Sequence, residues 1–157
     1  MHEVRKVGVL MAHITEVVGK SSEMIARLAL ISNGWIVAMP DTEEPFDVVA
    51  RDPANGEWAT IQVKTIRVRH DRGGDYVVYA KRGNGEPQSE SDADYIVGVL
   101  QGAEEGAPFR VYMFENRGLG EYWASESRAD KRWIRLPIEL QREYYVGGRA
   151  GVICPAA

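Results

Sequence analysis

The spacing of apolar residues predicts a helix from Thr15 to Asn33. Met24, Ile25, Leu28, Ala29 and Ile31 recur at helical spacing, while Glu16, Lys20, Glu23 and Arg27 lie along another face. Asn33-Gly34 supplies the stop. The residues through Met11 fit either a strand or an earlier start of this helix. Beyond Gly34 short apolar strands take over. Trp35 to Met39 is one, stopped by Pro40, and Phe46 to Arg51 is a second. Asp52-Pro53-Ala54-Asn55-Gly56 is dense in turn residues and joins the second as a hairpin to a third, running from about Glu57 to Arg69. In that third strand Ala59, Ile61, Val63 and Ile66 alternate, imperfectly towards the end, with Thr60, Gln62 and Lys64.

A Gly73-Gly74 turn leads to a strand from Asp75 to Ala80, and Gly83 to Asp92 is a polar loop. Tyr95 to Leu100 and Phe109 to Phe114 are two further strands across a Gly/Glu-rich loop. The pattern then weakens, with short strands at Glu121 to Ala124 and Arg132 to Leu136 and a short helix within Pro137 to Tyr145. No repeat or internal boundary interrupts the chain. The expectation is one α+β domain over residues 1–157, a mixed sheet with an N-terminal helix packed on it, with a core at about 19–100 and a C-terminal extension at 101–157.

Composition narrows the class. A chain of 157 residues can bury roughly 70% of its unfolded surface, and 45% apolar with 27% charged residues is ordinary globular content. No apolar run approaches the ~20 residues that span a bilayer, and Met1 to Lys6 is not followed by a secretory h-region. Cys154 is the one cysteine, so no internal disulfide forms. These features predict a soluble cytoplasmic protein with no membrane partner. A net charge of -4 argues against nucleic-acid binding by the whole surface. The charges are segregated, however. Acidic residues gather at Asp41 to Glu44, Glu86 to Asp94 and Glu104-Glu105. Basic ones gather at Lys64, Arg67, Arg69 and Arg72, at Lys81-Arg82, and from Arg128 to Arg135. One basic face against a phosphate backbone fits this distribution, and so does scattered solvated charge.

The group that carries chemistry is Glu23, Asp47, Gln62 and Lys64. Residues two apart on a strand share a face, so Gln62 and Lys64 emerge together while Ile61 and Val63 point into the core. Asp47 lies on the strand before the hairpin, and Glu23 can reach the same edge from the helix. Phosphodiester hydrolysis needs such a cluster. Carboxylates hold Mg²⁺, which lowers the pKa of a bound water, and a lysine stabilises charge on the transferring group. Gln62 can offer its amide oxygen as a neutral ligand or hydrogen-bond a metal-bound water.

Other motifs fail. Gly19-Lys20-Ser21 imitates the end of a P-loop, but Ile14 stands where its first glycine belongs. Gly118-Leu119-Gly120 is followed by Trp123 where a dinucleotide fingerprint has its third glycine. His2, His13 and His70 show no zinc-ligand spacing, no G-x-S-x-G element is present, and Trp58, Trp123 and Trp133 are better explained by packing than by base stacking.

Glu23 on a first helix, then Gly34-Trp35-Ile36-Val37, Phe46-Asp47-Val48-Val49 and Ile61-Gln62-Val63-Lys64-Thr65, resembles the PD-(D/E)XK nuclease superfamily. The likeness is to the branch in which glutamine replaces the acidic residue of (D/E)XK, which includes small homing endonucleases and phage or bacterial nucleases. Archaeal Holliday-junction resolvases are similar in size and layout. The resemblance covers about Gly19 to Leu100 and includes Asp94-Tyr95-Ile96-Val97 as a later strand. It implies a restriction-endonuclease-like core and a Mg²⁺-dependent endonuclease, with Mn²⁺ able to substitute. Glu23, Asp47 and Gln62 would be metal ligands and Lys64 the catalytic lysine. Arg67, Arg69, Arg72, Lys81 and Arg82 would contact DNA, double-stranded or branched, and the active unit would be a homodimer or a dimer of dimers. Homing, restriction-like and junction-resolving activities are not separable on these residues.

Three features depart from the pattern. Gln62 removes a negative charge from the site. Pro40-Asp41 is the literal Pro-Asp pair and competes with Asp47, which is preferred because it starts an apolar strand leading into the hairpin. The second helix expected after the third strand is not visible between Gly83 and Asp94. The alternative reading is a nuclease fold without catalysis, serving as a nucleic-acid-binding or protein-interaction module. An unrelated α+β binding domain is the third.

Overall fold

The computed structural model describes residues 12–102 and 104–140. His13 opens the first helix, its Nδ1 accepting the Thr15 N–H at 3.3 Å, and α1 runs Ile14–Ser32. The helix ends at Asn33, whose Nδ2 donates to the Ala29 carbonyl at 2.7 Å, and Gly34 follows with φ 87°. That angle favours a residue without Cβ. One face of α1 buries Ala26, Ala29 and Leu30 completely. Small residues there let the helix lie close on the sheet.

Among the described residues nine strands follow: β1 (Ile36–Ala38), β2 (Val48–Arg51), β3 (Trp58–Thr65), β4 (Arg67–Arg69), β5 (Asp75–Tyr79), β6 (Tyr95–Leu100), β7 (Arg110–Glu115), β8 (Glu121–Ala124) and, after the short helix α2 (Ala129–Arg132), β9 (Ile134–Arg135). Six of them form a mixed sheet in the order β1-β2-β3-β6-β7-β9, in which β3 and β6 are parallel and the other neighbours antiparallel. The expected α+β architecture, a helix on a mixed sheet, is what the chain adopts. Residues beyond 100 supply β7 and β9 to this sheet.

Strand alternation divides the interior in two. Val48, Ala50, Ile61, Val63, Val97, Val99, Val111 and Met113 face α1. Ile96, Tyr112 and Phe114 face the other way and pack with Tyr76, Val78, Tyr122 and Trp133. This second core exists because β4, β5 and β8 form a separate three-stranded antiparallel sheet over the back of the first. The second sheet was not anticipated. A Cβ at Gly98 of β6 would lie 3.0 Å from Ile66 and 3.2 Å from Val78, so glycine permits this close approach.

The third strand does not run unbroken to Arg69. At Ile66 the backbone N–H still bonds the Val99 carbonyl at 2.8 Å, but the side chain is buried in the second core and the chain departs as β4. Ile66 shares the face of Gln62 and Lys64, not that of Ile61 and Val63. The imperfect alternation marks the point where that face passes under the second sheet. Other boundaries move as well, most by a residue. The second strand starts at Val48 rather than Phe46, and the stretch expected as a strand from Arg132 is α2 followed by a two-residue β9. No helix lies in residues 137–140, and the remainder of that expected helix falls outside the described residues, as do the N-terminal segment through Met11, His2 and Cys154. Among the described residues no helix is long and apolar enough to cross a membrane.

Candidate active site

β2 and β3 part company at Asp47. The last ladder pair is Val48 with Ile61, and Asp47 N–H still reaches the Ile61 carbonyl at 2.9 Å. Asp47 therefore sits just ahead of β2, not inside it. Beyond this point β3 has no partner strand on that side among the described residues, and the Asp47 side chain takes over: Oδ2 accepts the Val63 N–H at 2.8 Å. A cleft of about 600 Å³ opens along this free edge.

Glu23, Asp47, Gln62 and Lys64 all line this cleft, joined by Ser22, Thr65, Arg67 and Tyr79. The four come from three places in the chain: α1, the start of β2, and two alternate positions of β3. Ser22 and Thr65 share a hydrogen bond of 2.7 Å that ties α1 to β3, and Gln101 donates to Ser22 Oγ at 2.8 Å. This pins Glu23 against the edge. Asp41 lies exposed in the loop before β2 and is not part of the cleft wall.

Burial pushes the Asp47 carboxyl above its ordinary value. The Val63 backbone bond opposes that, the charge of Glu23 adds to it, and Lys64 and Lys20 pull it back down. Lys20 holds Glu23 through contacts of 3.0 and 3.2 Å. Lys20 is itself exposed and its ammonium is raised, chiefly by the hydrogen bond to Glu23.

Gln62 is engaged at both ends. Its Nε2 donates to Asp47 Oδ2 at 2.8 Å, and its Oε1 accepts from Nε2 of Gln88 at 2.9 Å. Gln88 was not among the residues singled out from sequence. It sits in a polar loop 26 positions further on, with no periodic pattern to mark it. Yet it is only 5% exposed.

The expected DNA-contacting residues are spread more widely. Arg67 lines the cleft, its guanidinium 5.8 Å from the Tyr79 ring centre. Arg69 is bonded to Asp71 and to the Tyr79 hydroxyl, and it holds the Asp71 carboxyl down at about 2. Arg72 pairs with Glu121 at 2.5 Å. Arg82 reaches Asp92 through Nε at 2.9 Å and Nη2 at 2.5 Å. Lys81 is exposed and bridges Pro87 through the backbone.

Among the described residues no three His, Cys, Asp or Glu side chains group as a metal site. The cleft offers two carboxylates as oxygen donors, while Gln62, the expected third ligand, turns its amide oxygen to Gln88 and its nitrogen to Asp47. That set does not suit zinc, which favours nitrogen and sulfur. It fits a hard cation such as Mg²⁺, which is held by one or two carboxylates and keeps several waters.

No family model and no curated protein matches the chain. Among solved structures it is similar to a bacterial homing endonuclease, I-Ssp6803I, with a TM-score of 0.56 and 21% identity over 73% of this chain and 80% of that one. At that identity the likeness shows a shared fold.

Proposed function

We propose that the protein is a metal-dependent DNA endonuclease of the PD-(D/E)XK type, in its glutamine variant. The observation that carries this is the convergence of Glu23, Asp47, Gln62 and Lys64 on one cleft at the free edge of β3. The fold shared with a homing endonuclease supports DNA as the substrate. In this reading Glu23 and Asp47 hold the cation, and Gln62, whose amide oxygen is turned to Gln88, orients Asp47 through Nε2. A bound Mg²⁺ or Mn²⁺ would lower the pKa of a coordinated water and neutralise charge on the phosphate. Lys64 faces the same cleft and stabilises negative charge developing on the phosphoryl oxygens. Arg67, at the rim, binds a neighbouring backbone phosphate.

One cleft per chain supplies one cut. Cleaving both strands calls for two copies, and α1 offers a surface for pairing them. Ile14, Val17, Met24, Leu28 and Ile31 are 40–69% exposed. They follow the three-and-four spacing of a helix–helix seam. We assign the active unit as a twofold dimer on this basis.

Incubation of supercoiled plasmid and of branched DNA with Mg²⁺, Mn²⁺ or EDTA tests the activity. Cutting with either metal and none in chelator is expected, whereas undiminished cutting in EDTA would refute metal dependence. A protein that binds DNA but neither binds Mn²⁺ nor cuts would instead be a nuclease fold without catalysis.

A further inference from the structure

The loop between β5 and β6 carries Gln88 to the amide of Gln62, which lines the cleft. We propose that Gln88 is a positioning residue: it dictates which end of the Gln62 amide faces Asp47, and through Gln62 it holds Asp47 by Oδ2 so that Oδ1 is left to a cation. This inference rests on the metal-dependent nuclease reading above.

The two ends of an amide are told apart by what they face. Gln88 Nε2 donates to the Pro45 carbonyl at 3.0 Å and to Gln62 Oε1 at 2.9 Å. A backbone carbonyl only accepts, so the nitrogen of Gln88 must face Pro45. Its second hydrogen then goes to Gln62 and fixes the Gln62 oxygen on that side. The Gln62 nitrogen is left facing Asp47 Oδ2, which it meets at 2.8 Å. Each step determines the next, from Pro45 to Gln88 to Gln62 to Asp47. Both hydrogen bonds to the Asp47 carboxylate, from Gln62 and Val63, fall on Oδ2.

A purely structural role explains Gln88 poorly. Its Oε1 is buried without a hydrogen-bond partner. Turning the amide over would not relieve this, because the oxygen would then oppose the Pro45 carbonyl and Gln62 Oε1. The surrounding loop is nevertheless built to hold Gln88. Its N–H bonds the Ala80 carbonyl at 2.8 Å, and Asp92 Oδ2 ties Arg82 to the Ser89 N–H. Asn116 donates to the Ser89 carbonyl at 2.9 Å.

The test is a double-mutant cycle read by Mn²⁺ calorimetry, with metal-free NMR of the Gln62 side-chain amide, assigned through its disappearance in Gln62→Leu. Gln88→Met keeps the bulk and removes the donor. It should move the Gln62 amide signals towards those of a free glutamine and weaken Mn²⁺ about tenfold, the scale of losing an outer partner of a metal site. In the Gln62→Leu background the same change should add less than about twofold. If Gln88→Met does not fold, Gln88→Glu carries the test. At a pH where its carboxyl is ionised it can only accept, so it turns the Gln62 amide over and should weaken Mn²⁺ at least as much. Unchanged Gln62 signals and Mn²⁺ affinity in the Gln88 variant, with binding abolished in Asp47→Asn, would overturn the role of Gln88 while the nuclease reading stands. Additive effects in the double variant would overturn it too. A parent protein that binds no Mn²⁺ would remove the nuclease reading itself.

Discussion

Asp47 Oδ2 accepts the Val63 N–H at 2.8 Å at the point where β2 has ended and, among the described residues, β3 runs on without a neighbour on that side. One carboxylate thus serves the fold and the site together. It replaces the missing strand for Val63, and it places a negative charge in the cleft beside Glu23.

The two duties separate by mutation. In Asp47→Asn the single amide oxygen can still accept from Val63 and Gln62, so the fold should persist. The neutral side chain should lose Mn²⁺ binding and at least about 100-fold in cleavage rate. The folded pKa of Asp47 is raised, so keeping it ionised costs the folded state stability at pH 7. Without metal, Asp47→Asn should therefore melt at or above the parent temperature. Asp47→Ala leaves Val63 and Gln62 without their acceptor and should destabilise by about 1–3 kcal/mol. Asp41→Asn should keep substantial activity. Melting curves in EDTA and plasmid nicking check each of these, and a dead Asp41→Asn would reassign the ligand.

Much of this site is legible in the chain itself. Alternation in Ile61-Gln62-Val63-Lys64 is enough to put Gln62 and Lys64 on one face, and Asn33-Gly34 ends α1 where the helical spacing stops. The break at Ile66 is harder to see. Its apolar side chain looks like a continuation of the Ile61/Val63 face until the second sheet is known to cover the opposite one. Gln88 is harder still, since a buried glutamine in a polar loop has no period, and only the folded chain brings it to Gln62. The ion pairs that occupy Arg69, Arg72 and Arg82 are likewise tertiary facts.

In the proposed metal site Lys20 would compete with a cation for Glu23. Replacing it with methionine removes an exposed ion pair, worth ~0.2–1 kcal/mol. Mn²⁺ affinity should rise about two- to fivefold by calorimetry. A fall would mean that Lys20 serves the site rather than guarding Glu23.

Arg82 and Asp92 hold the loop that presents Gln88. The Arg82 hydrogen bonds lower the Asp92 carboxyl, with the Ser89 N–H contributing. A carboxylate depressed in the folded state adds stability above its unfolded pKa of about 3.9, and that stability fades as pH falls through the lower folded value. Asp92→Asn should therefore cost about 1 kcal/mol at pH 7, discounted for the partly exposed arginine, and progressively less below pH 4. Denaturant melts at pH 7 and pH 3 measure it. An equal loss at both would place the effect in packing instead.

The apolar seam on α1 predicts a dimer in solution. Met24→Lys with Leu28→Lys should convert it to a monomer by light scattering and slow double-strand cutting more than nicking. A parent protein that is monomeric with and without DNA, yet cuts both strands, would contradict this assignment.

Lys64 is the side chain proposed to act on the reacting phosphate, and its removal separates catalysis from binding. Single-turnover cleavage by Lys64→Ala, measured beside DNA affinity in Ca²⁺, should show a rate loss of at least about 100-fold with affinity nearly unchanged. A variant that cuts close to the parental rate would contradict the claim that this face of the cleft performs the hydrolysis.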